Sequence, residues 1–496
     1  MKKILVIIIA SLVLLLTWSI PVYASYNYTP YMEAIYSAEA MIQTNVIDSS
    51  NLVDTNNQRV NITLGELVDV FTFEDRIYIV DASSSLIYVL NDSYQYLTQF
   101  GNGEGDLKLS SPKSVFVTDE YLYVADYGNQ RIAIFNHSYE FVKSVNAPDD
   151  PTFKQSPEDT SGYDFRPLKI TVDRTGRIYC IADQIFEGIL DFNPDGTFSR
   201  YVGANTVTLS LWEAFWLKLT TEEQRLAQGY RLATTFVNMK VDEKGYLYTV
   251  SSVSEGEKVI KKLNFKGIDV LNRNGYVPQS GDFVTVPANS SIPIGGSQFV
   301  DIDINEFGNY MVLDKTRGRI FTYDFEGNLL YVAGQLGNIG TSANTRKSLF
   351  MSPTSLTYFN DKVLVVDSLN KNLVVFQYTE FGKLVNLATK YYYEGEDQLA
   401  KETWEQVLVL NTNYFLAYSG IAKTQLREGD YEEAMYNAKL GYDDYTYSRA
   451  YQPYRYDKLV IVFPYIMGIA LAGLIFLFGK TIAKSVKEAK EEESVE

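Results

Sequence analysis

The chain has 496 residues, of which 46% are hydrophobic and 21% charged, so it is too long for one ordinary domain and too apolar for a disordered protein. Its 61 Asp and Glu residues outnumber its 44 Lys and Arg residues, and the net charge of -17 excludes a general electrostatic attraction to nucleic acid. We therefore expect two or more folded units and no nucleic acid partner.

The chain contains one histidine, His137, and one cysteine, Cys180. These counts exclude zinc sites built from several histidines or cysteines, and they exclude an intramolecular disulfide. A catalytic triad would have to use His137, which lies in a predicted turn between two strands. We expect no catalytic residue, no metal and no cofactor.

Residues 1–24 have the features of a secretory signal peptide. Lys2 and Lys3 precede an apolar run over 4–16, and Val22-Tyr-Ala24 places small residues at the two positions inspected before cleavage. We expect cleavage after Ala24, followed by an N-terminal extension over 25–60. An uncleaved anchor helix is the alternative, because the apolar run approaches the length that spans a bilayer.

A strand pattern recurs between residues 61 and 381. Each copy has a short strand, a polar turn, a strand that ends in an acidic residue, a polar loop and a strand with an aromatic end. Tyrosines alternate with β-branched residues, as in strands packed between sheets. Six copies predict six small sheets, with the acidic position occupied in turn by Asp81, Asp126, Asp183, Ser251, Asp314 and Asp367.

Two copies also carry an arginine five residues after the aspartate. An aspartate at a strand end can accept backbone N–H bonds in the next turn, and the arginine can pair with it. We interpret these side chains as contacts within the sheets, and the structural set is Asp81, Asp126, Arg131, Asp314, Arg319 and Asp367. The segment from Asp301 to Gly308 has the spacing of a calcium loop, but its alignment with the other copies indicates an ordinary strand and turn.

Together with the turns Asn193-Pro-Asp-Gly196 and Asp324-Phe-Glu-Gly327, this pattern resembles the NHL repeat. The resemblance covers roughly two thirds of the chain. It implies a mainly β fold, a six-bladed β-propeller over 61–381. We expect a strand from Gln58 to Ile62, or one of its neighbours, to close the ring against the last blade, because closure removes the exposed sheet edges.

An insertion over 209–230 interrupts the repeats and predicts two short helices, the second starting with the capping box at Thr220. The first helix places Trp212, Phe215 and Trp216 on one face. This face either packs over an opening of the propeller or forms a lid that binds a partner, since large aromatic side chains anchor interfaces well.

After residue 381 the apolar period changes from two to near 3.6, and two similar segments place Ala388 and Ala422 34 positions apart. This spacing resembles the tetratricopeptide repeat, so 382–442 is expected to form two such repeats. Trp404 and Tyr414 are expected to help fill the seam between the helices, and they are also candidates for a partner surface. Two repeats are few for a stable solenoid, so we expect them to dock on the propeller or on a partner.

The C-terminal region predicts a membrane anchor. Residues 459–479 carry no charge and match the length of a transmembrane helix, after a tyrosine-rich juxtamembrane link over 443–458. Lys480, Lys484, Lys487 and Lys490 place the charged tail over 480–496 in the cytoplasm. We expect an exported bacterial protein that crosses the cell membrane once, with its large N-terminal part outside the cytoplasm.

These features favour a non-catalytic recognition or scaffold protein that binds a protein partner of the cell envelope through its propeller and helical surfaces. Two alternatives remain. Six-bladed propellers include calcium-dependent lactonases, which the chain also resembles and which hold their metal by carboxylates and amides. The 39 tyrosines are compatible with glycan binding. The sequence does not identify a small-molecule ligand, the partner or the oligomeric state.

Overall fold

The computed structural model describes residues 26–148, 165–203, 235–251, 258–285, 294–337 and 349–493. The chain divides into two compact units, Met1–Thr389 and Lys390–Glu496. The predicted signal peptide over 1–24 and the predicted helical insertion over 209–230 lie outside the described residues.

The first unit is a six-bladed β-propeller, in which each blade is a small antiparallel sheet. Five blades consist of strands that follow one another along the chain, and the sixth also contains a strand from its beginning. A short hairpin precedes it. The N-terminal strands are β1 (Tyr26–Tyr28), β2 (Ala34–Tyr36) and β3 (Met41–Asp48). The first three blades contain β4 (Leu67–Phe73), β5 (Arg76–Asp81), β6 (Leu86–Asn91) and β7 (Tyr96–Phe100); β8 (Val115–Val117), β9 (Leu122–Asp126), β10 (Arg131–Phe135) and β11 (Phe141–Val145); and β12 (Pro167–Val172), β13 (Ile178–Ala182), β14 (Ile189–Phe192) and β15 (Phe198–Val202).

The second half of the ring repeats this arrangement, so the expectation of a mainly β, six-bladed propeller is confirmed. Short 3-10 turns occur at Gly105–Leu107 and Tyr127–Asn129. The remaining strands are β16 (Phe236–Val241), β17 (Leu247–Ser251) and β18 (Ile260–Leu263) in the fourth blade; β19 (Phe299–Ile304), β20 (Tyr310–Asp314), β21 (Arg319–Tyr323) and β22 (Leu329–Ala333) in the fifth; and β23 (Pro353–Phe359), β24 (Lys362–Asp367) and β25 (Asn372–Tyr378) in the sixth.

Aromatic side chains fill the spaces between neighbouring blades. The rings of Phe71 and Phe116 lie 4.8 Å apart between the first and second blades. Tyr248 and Tyr310 lie 5.6 Å apart between the fourth and fifth blades, and both are buried. Aromatic pairs at these distances stabilise the fold beyond the effect of the apolar area that the rings remove from water. The alternating tyrosines of the repeat are therefore packing residues at these positions.

The N-terminal strand closes the ring. β3 pairs antiparallel with β25 from Ile47 opposite Leu373 to Met41 opposite Tyr378, so the sixth blade takes its outermost strand from the beginning of the chain. Joining the two ends in one sheet covers the free edge of the last blade. The prediction that a strand at Gln58–Ile62 closes the ring is wrong, because the closing strand β3 ends ahead of that segment, at Asp48.

The conformation of the residues before Ile62 explains why the closing strand is not found at the expected position. Residues 54–58 form a turn, in which the carboxylate of Asp54 accepts hydrogen bonds from the N–H groups of Asn56 and Gln58, each at 2.9 Å. β3 itself is a weak signal in the sequence, because only Met41 and Ile47 of its eight residues are buried. An edge strand with so few apolar positions does not show a clear period of two.

The described residues after the propeller are helical: α1 (Glu380–Glu394), α2 (Asp397–Leu410), α3 (Phe415–Glu428), α4 (Tyr431–Leu440) and α5 (Asp444–Glu493). The first part of α1 lies in the propeller unit and packs closely on it. A Cβ atom on Gly382 would come within 2.0 Å of the Ala40 carbonyl oxygen, and Tyr331 donates a 2.8 Å hydrogen bond to Asn386.

In the second unit, α3 packs between α2 and α4, and α5 packs on α3 and α4. The indole of Trp404 on α2 stacks on Tyr414 with 6.1 Å between ring centroids. Gly429 ends α3 at a φ of 87°, a left-handed conformation that glycine adopts without strain. The helical hairpins are thus present, and their assignment as tetratricopeptide repeats stays a prediction.

Ring closure by β3 leads to a stability prediction. Replacing Ile47 by Ala should lower the free energy of unfolding by about 2–5 kcal/mol, because this side chain is 5% exposed and its removal leaves a cavity in the joined sheet. Urea denaturation of the full chain in detergent measures the change. Ile42→Ala, on the same strand but 44% exposed, is the matched control and should cost less than about 1 kcal/mol. Equal losses in the two variants would contradict closure by β3.

Candidate functional site: a polar ring around the propeller axis

The first strands of the six blades surround the propeller axis. They are β4, β8, β12, β16, β19 and β23, and each contacts the next in this order, with β23 returning to β4. Strands of this kind are expected to be apolar because neighbouring blades cover them. Each nevertheless carries a buried polar residue within the strand or immediately before it, and these side chains form a ring.

Each polar side chain of the ring makes a hydrogen bond to the backbone of the next blade. Five of the six accept a backbone N–H, and the sixth donates to a carbonyl, so every interface between blades has one such bond. The pairs are Asp69 with Val115 (3.1 Å), Ser114 with Ile170 (3.1 Å), Thr171 with Val241 (3.3 Å), Asn238 with the Val300 carbonyl (3.2 Å), Asp301 with Leu356 (2.7 Å) and Ser355 with Val70 (3.3 Å).

A buried ion pair reinforces one side of the ring. The ammonium of Lys169 on β12 lies 2.7 Å from the carboxylate of Asp69 on β4, which is 1% exposed. Burial lowers the pKa of Lys169, but attraction to Asp69, Asp301 and Asp303 outweighs this effect and raises it overall. The lysine therefore stays protonated and crosses from the third blade to the first.

Asp301 has a different protonation behaviour. Burial, together with repulsion from Asp69, outweighs the attraction of Lys169 and raises the pKa of Asp301 to about 6. The Ser355 hydroxyl lies 2.5 Å from one oxygen of Asp301 and 2.9 Å from one oxygen of Asp69. A hydroxyl has a single proton to donate, so Ser355 can donate to only one of these two carboxylates at a time.

A second polar layer lies two residues further along the same strands. Asp303 accepts hydrogen bonds from the hydroxyl of Thr357 and the N–H of Tyr358, each at 2.9 Å, and its other oxygen lies 3.1 Å from the ammonium of Lys240. The same ammonium lies 4.4 Å from the ring centroid of Phe71. This layer connects the fourth, fifth, sixth and first blades.

The arrangement is suited to holding blades together. Asp69, Asp301 and Asp303 each accept at least two bonds from N–H, hydroxyl or ammonium groups of other blades. Within the described ranges, no group of three or more His, Cys, Asp or Glu residues lies close enough to hold a metal ion. Among the described residues, the polar ring is therefore a network between strands, with its carboxylates directed at protein donors.

The aspartates of the predicted structural set end the second strands of their blades, and Arg131 and Arg319 begin the third strands. Asp81 accepts the N–H of Gly65 at 2.7 Å, and Asp367 accepts the N–H of Met351 at 2.6 Å. Asp126 pairs with Arg131 at 2.9 Å. These aspartates tie the loop before the first strand of a blade to the end of its second strand.

In the fifth blade the same motif also contacts the N-terminal hairpin. Asp314 accepts the N–H of Gln298 at 2.8 Å. Arg319 donates a 2.7 Å hydrogen bond to the carbonyl of Gly334, and its guanidinium lies 5.1 Å from the ring centroid of Tyr26. A cation over an aromatic ring at this distance is attractive, so Arg319 helps to hold β1 on this blade.

The five aromatic residues predicted for a partner surface have different positions. Trp212, Phe215 and Trp216 lie outside the described residues. Trp404 and Tyr414 are 4% and 2% exposed, and they fill the seam between α2 and α3. Their side chains therefore lie in the interior of the second unit.

The polar ring was missed from the sequence, although a signal for it exists. Polar residues occur within each first strand or immediately before it, and Asp69, Asn238, Asp301 and Ser355 occupy the same register position in their blades. Asp301 and Asp303 do lie within a strand, β19, as expected for an ordinary blade. What the alignment does not reveal is that these side chains point to one axis and meet one another.

Comparisons with solved structures found matches at low sequence identity. A streptogramin B lyase is 12% identical, with a TM-score of 0.38 over 64% of this chain and 96% of the lyase. The hydrazine synthase of Kuenenia stuttgartiensis is 11% identical, with a TM-score of 0.39 over 65% of this chain and 98% of the synthase chain. An auxiliary nutrient binding protein from Bacteroides ovatus is 14% identical, with a TM-score of 0.42 over 70% of this chain and 79% of the binding protein. No protein-family model and no curated sequence matches the chain. These similarities assign no function to the chain.

The ion pair in the ring leads to a second prediction. Lys169→Met should lower the free energy of unfolding by about 3–5 kcal/mol, because it leaves the buried carboxylate of Asp69 without its cation. The urea midpoint of the full chain in detergent is the measurement. Arg174→Met is the matched control, since it breaks an exposed 3.0 Å pair with Glu243 and should change the midpoint little. Similar midpoints for the two variants would refute a stabilising role for the ring.

Proposed function

We propose that this chain is a membrane-anchored, non-catalytic recognition protein whose propeller and helical unit lie outside the cytoplasm and bind a protein partner of the cell envelope. The observation that carries the proposal is α5. Residues 459–479 of this helix are uncharged, and their large apolar side chains are exposed, as for Ile469 at 75% and Phe476 at 72%. Exposure to water would cost about 1.5–3 kcal/mol for each such side chain, so a bilayer is the environment that suits this segment.

The length and the flanks of the segment support this interpretation. At 1.5 Å per residue, 459–479 extends about 31 Å, which matches a hydrocarbon core of about 30 Å. In the described ranges, α5 is the one helix long and apolar enough to cross a membrane. Tyrosines precede the segment, and Lys480 and Lys484 follow it, which supports a cytoplasmic C-terminus.

Two observations favour a binding protein over an enzyme. The carboxylates at the propeller axis accept hydrogen bonds from neighbouring blades, so their geometry is explained by the fold. The helical unit exposes large apolar side chains outside the membrane segment, namely Val409 at 83%, Leu410 at 47% and Tyr436 at 62%. Helical repeats of the tetratricopeptide kind present such surfaces to protein partners.

The topology can be tested on intact cells. Protease added from outside should degrade the body of the protein and leave a small C-terminal fragment, because only the segment within and beyond the bilayer is protected. The fragment is detected through a tag placed after Glu496. A tag that external protease removes would contradict this orientation.

Binding can be tested through the predicted aromatic lid. A photoreactive residue at position 436 should yield a discrete cross-linked partner in cells, and replacing Trp212, Phe215 and Trp216 by Ala should reduce its yield, since an aromatic anchor is often worth ~2 kcal/mol or more. Phe265→Ala is the matched control, because this ring is 68% exposed on a turn of the fourth blade. The melting temperature of each variant is measured in parallel.

Two outcomes would change this interpretation. Loss of folding in the triple variant would assign the three aromatic residues to packing over the propeller. Hydrolysis of lactones or simple esters by the purified protein with calcium, abolished by chelation, would overturn the non-catalytic proposal in favour of a lactonase-like hydrolase.

A further inference from the structure

The charges of the first strands do not balance at the propeller axis. Among the described residues, three buried carboxylates, those of Asp69, Asp301 and Asp303, are accompanied by two ammonium groups. Lys169 pairs with Asp69 at 2.7 Å, and Lys240 pairs with Asp303 at 3.1 Å. One buried negative charge is therefore left without a cation of its own.

The carboxylate without an ion pair is that of Asp301. In the described parts of the chain, no ammonium or guanidinium nitrogen lies within 4.0 Å of its oxygens. Its hydrogen bonds come from uncharged donors, namely the N–H of Leu356 at 2.7 Å, the hydroxyl of Ser355 at 2.5 Å and the N–H of Ile302 at 2.8 Å. A buried charge that lacks a counter-ion is costly, and a carboxylate removes this cost by taking up a proton.

A second carboxylate adds to this cost. The hydroxyl of Ser355 lies between Asp301 and Asp69, and its single proton screens only one of the two at a time. Two negative charges joined by one hydroxyl repel each other, which favours the uncharged form of the one without a cation. The pKa of Asp301, raised to about 6 by burial and by this repulsion, agrees with the geometry.

The strands packed on β19 are β16, β17, β20 and β23. β17 and β23 contain no Asp, Glu, Lys or Arg. Tyr358 of β23 stays uncharged at neutral pH, because burial raises its pKa. The charged residues of β16 and β20, together with those that act on Asp301 from β4 and β12, are Lys240, Asp314, Asp69 and Lys169.

We propose that the propeller axis is a proton-dependent contact, in which Asp301 takes up one proton in mildly acidic surroundings and then holds the fifth and sixth blades together more firmly. The uncharged carboxyl keeps its position beside Leu356 and Ser355 and no longer repels Asp69. All of these groups lie in the propeller, so the inference does not depend on whether α5 spans a membrane.

The direction of the pH effect follows from proton linkage. The pKa of Asp301 is about 6 in the folded chain, whereas an aspartate in an unfolded chain has a pKa of about 3.9. The folded chain therefore binds the proton more tightly. The stabilisation is complete below about pH 4 and is lost as the pH rises through 6, so between pH 8 and pH 5 this one group should increase the folding constant about tenfold.

The test compares the wild type with Asp301→Asn and Asp301→Ser. Neither new side chain ionises, and Asn238 and Ser355 occupy the same register position in their own blades. Urea unfolding of the full chain in detergent is measured at pH 8 and pH 5. From pH 8 to pH 5, the unfolding constant of the wild type should fall about tenfold relative to that of either variant. Two substitutions are used so that the comparison remains possible if one of them prevents folding.

Asp92→Asn is the matched control, because it removes an exposed carboxylate on a turn of the first blade. This variant should keep the pH dependence of the wild type. The same pH dependence in the wild type and the Asp301 variants would overturn the proposal. A change in Asp92→Asn as large as that in the Asp301 variants would also overturn it, since the effect would then reflect the general charge of the protein.

Discussion

The inner strands of the propeller converge on an axis where polar backbone groups have to be satisfied away from water, and the polar ring meets this requirement. Asp69 shows the principle most clearly. Its carboxylate accepts hydrogen bonds from the N–H of Val115 in the next blade and from the ammonium of Lys169 two blades away. Because each first strand is connected to its neighbour in this way, the position of one blade constrains the positions of the others.

Closure of the ring depends on a second constraint of the same kind. β3 supplies the outer strand of the sixth blade, so the beginning and the end of the propeller sequence meet in one sheet. α1 begins directly after this blade and packs on the Ala40 backbone through Gly382. The segment that closes the ring therefore also supports the helix that leaves it.

Function, on this interpretation, lies at surfaces rather than in the propeller interior. The interior carboxylates are engaged by protein donors, whereas α5 carries a long apolar surface and its flank has tyrosines and cations. In the proposed function, anchoring and recognition involve neighbouring parts of the same helical unit.

Much of this could be predicted from the sequence, because strand periodicity, the alternating tyrosines and an uncharged run of membrane length are local patterns that need no knowledge of neighbours. Tertiary structure alone decided which strand closes the ring, since β3 has only Met41 and Ile47 buried. It also decided that Asp301 and Ser355 meet across a blade interface and that Trp404 is interior. Such contacts join residues far apart in the chain, and a repeat pattern describes each blade without stating which side chains of different blades face one another.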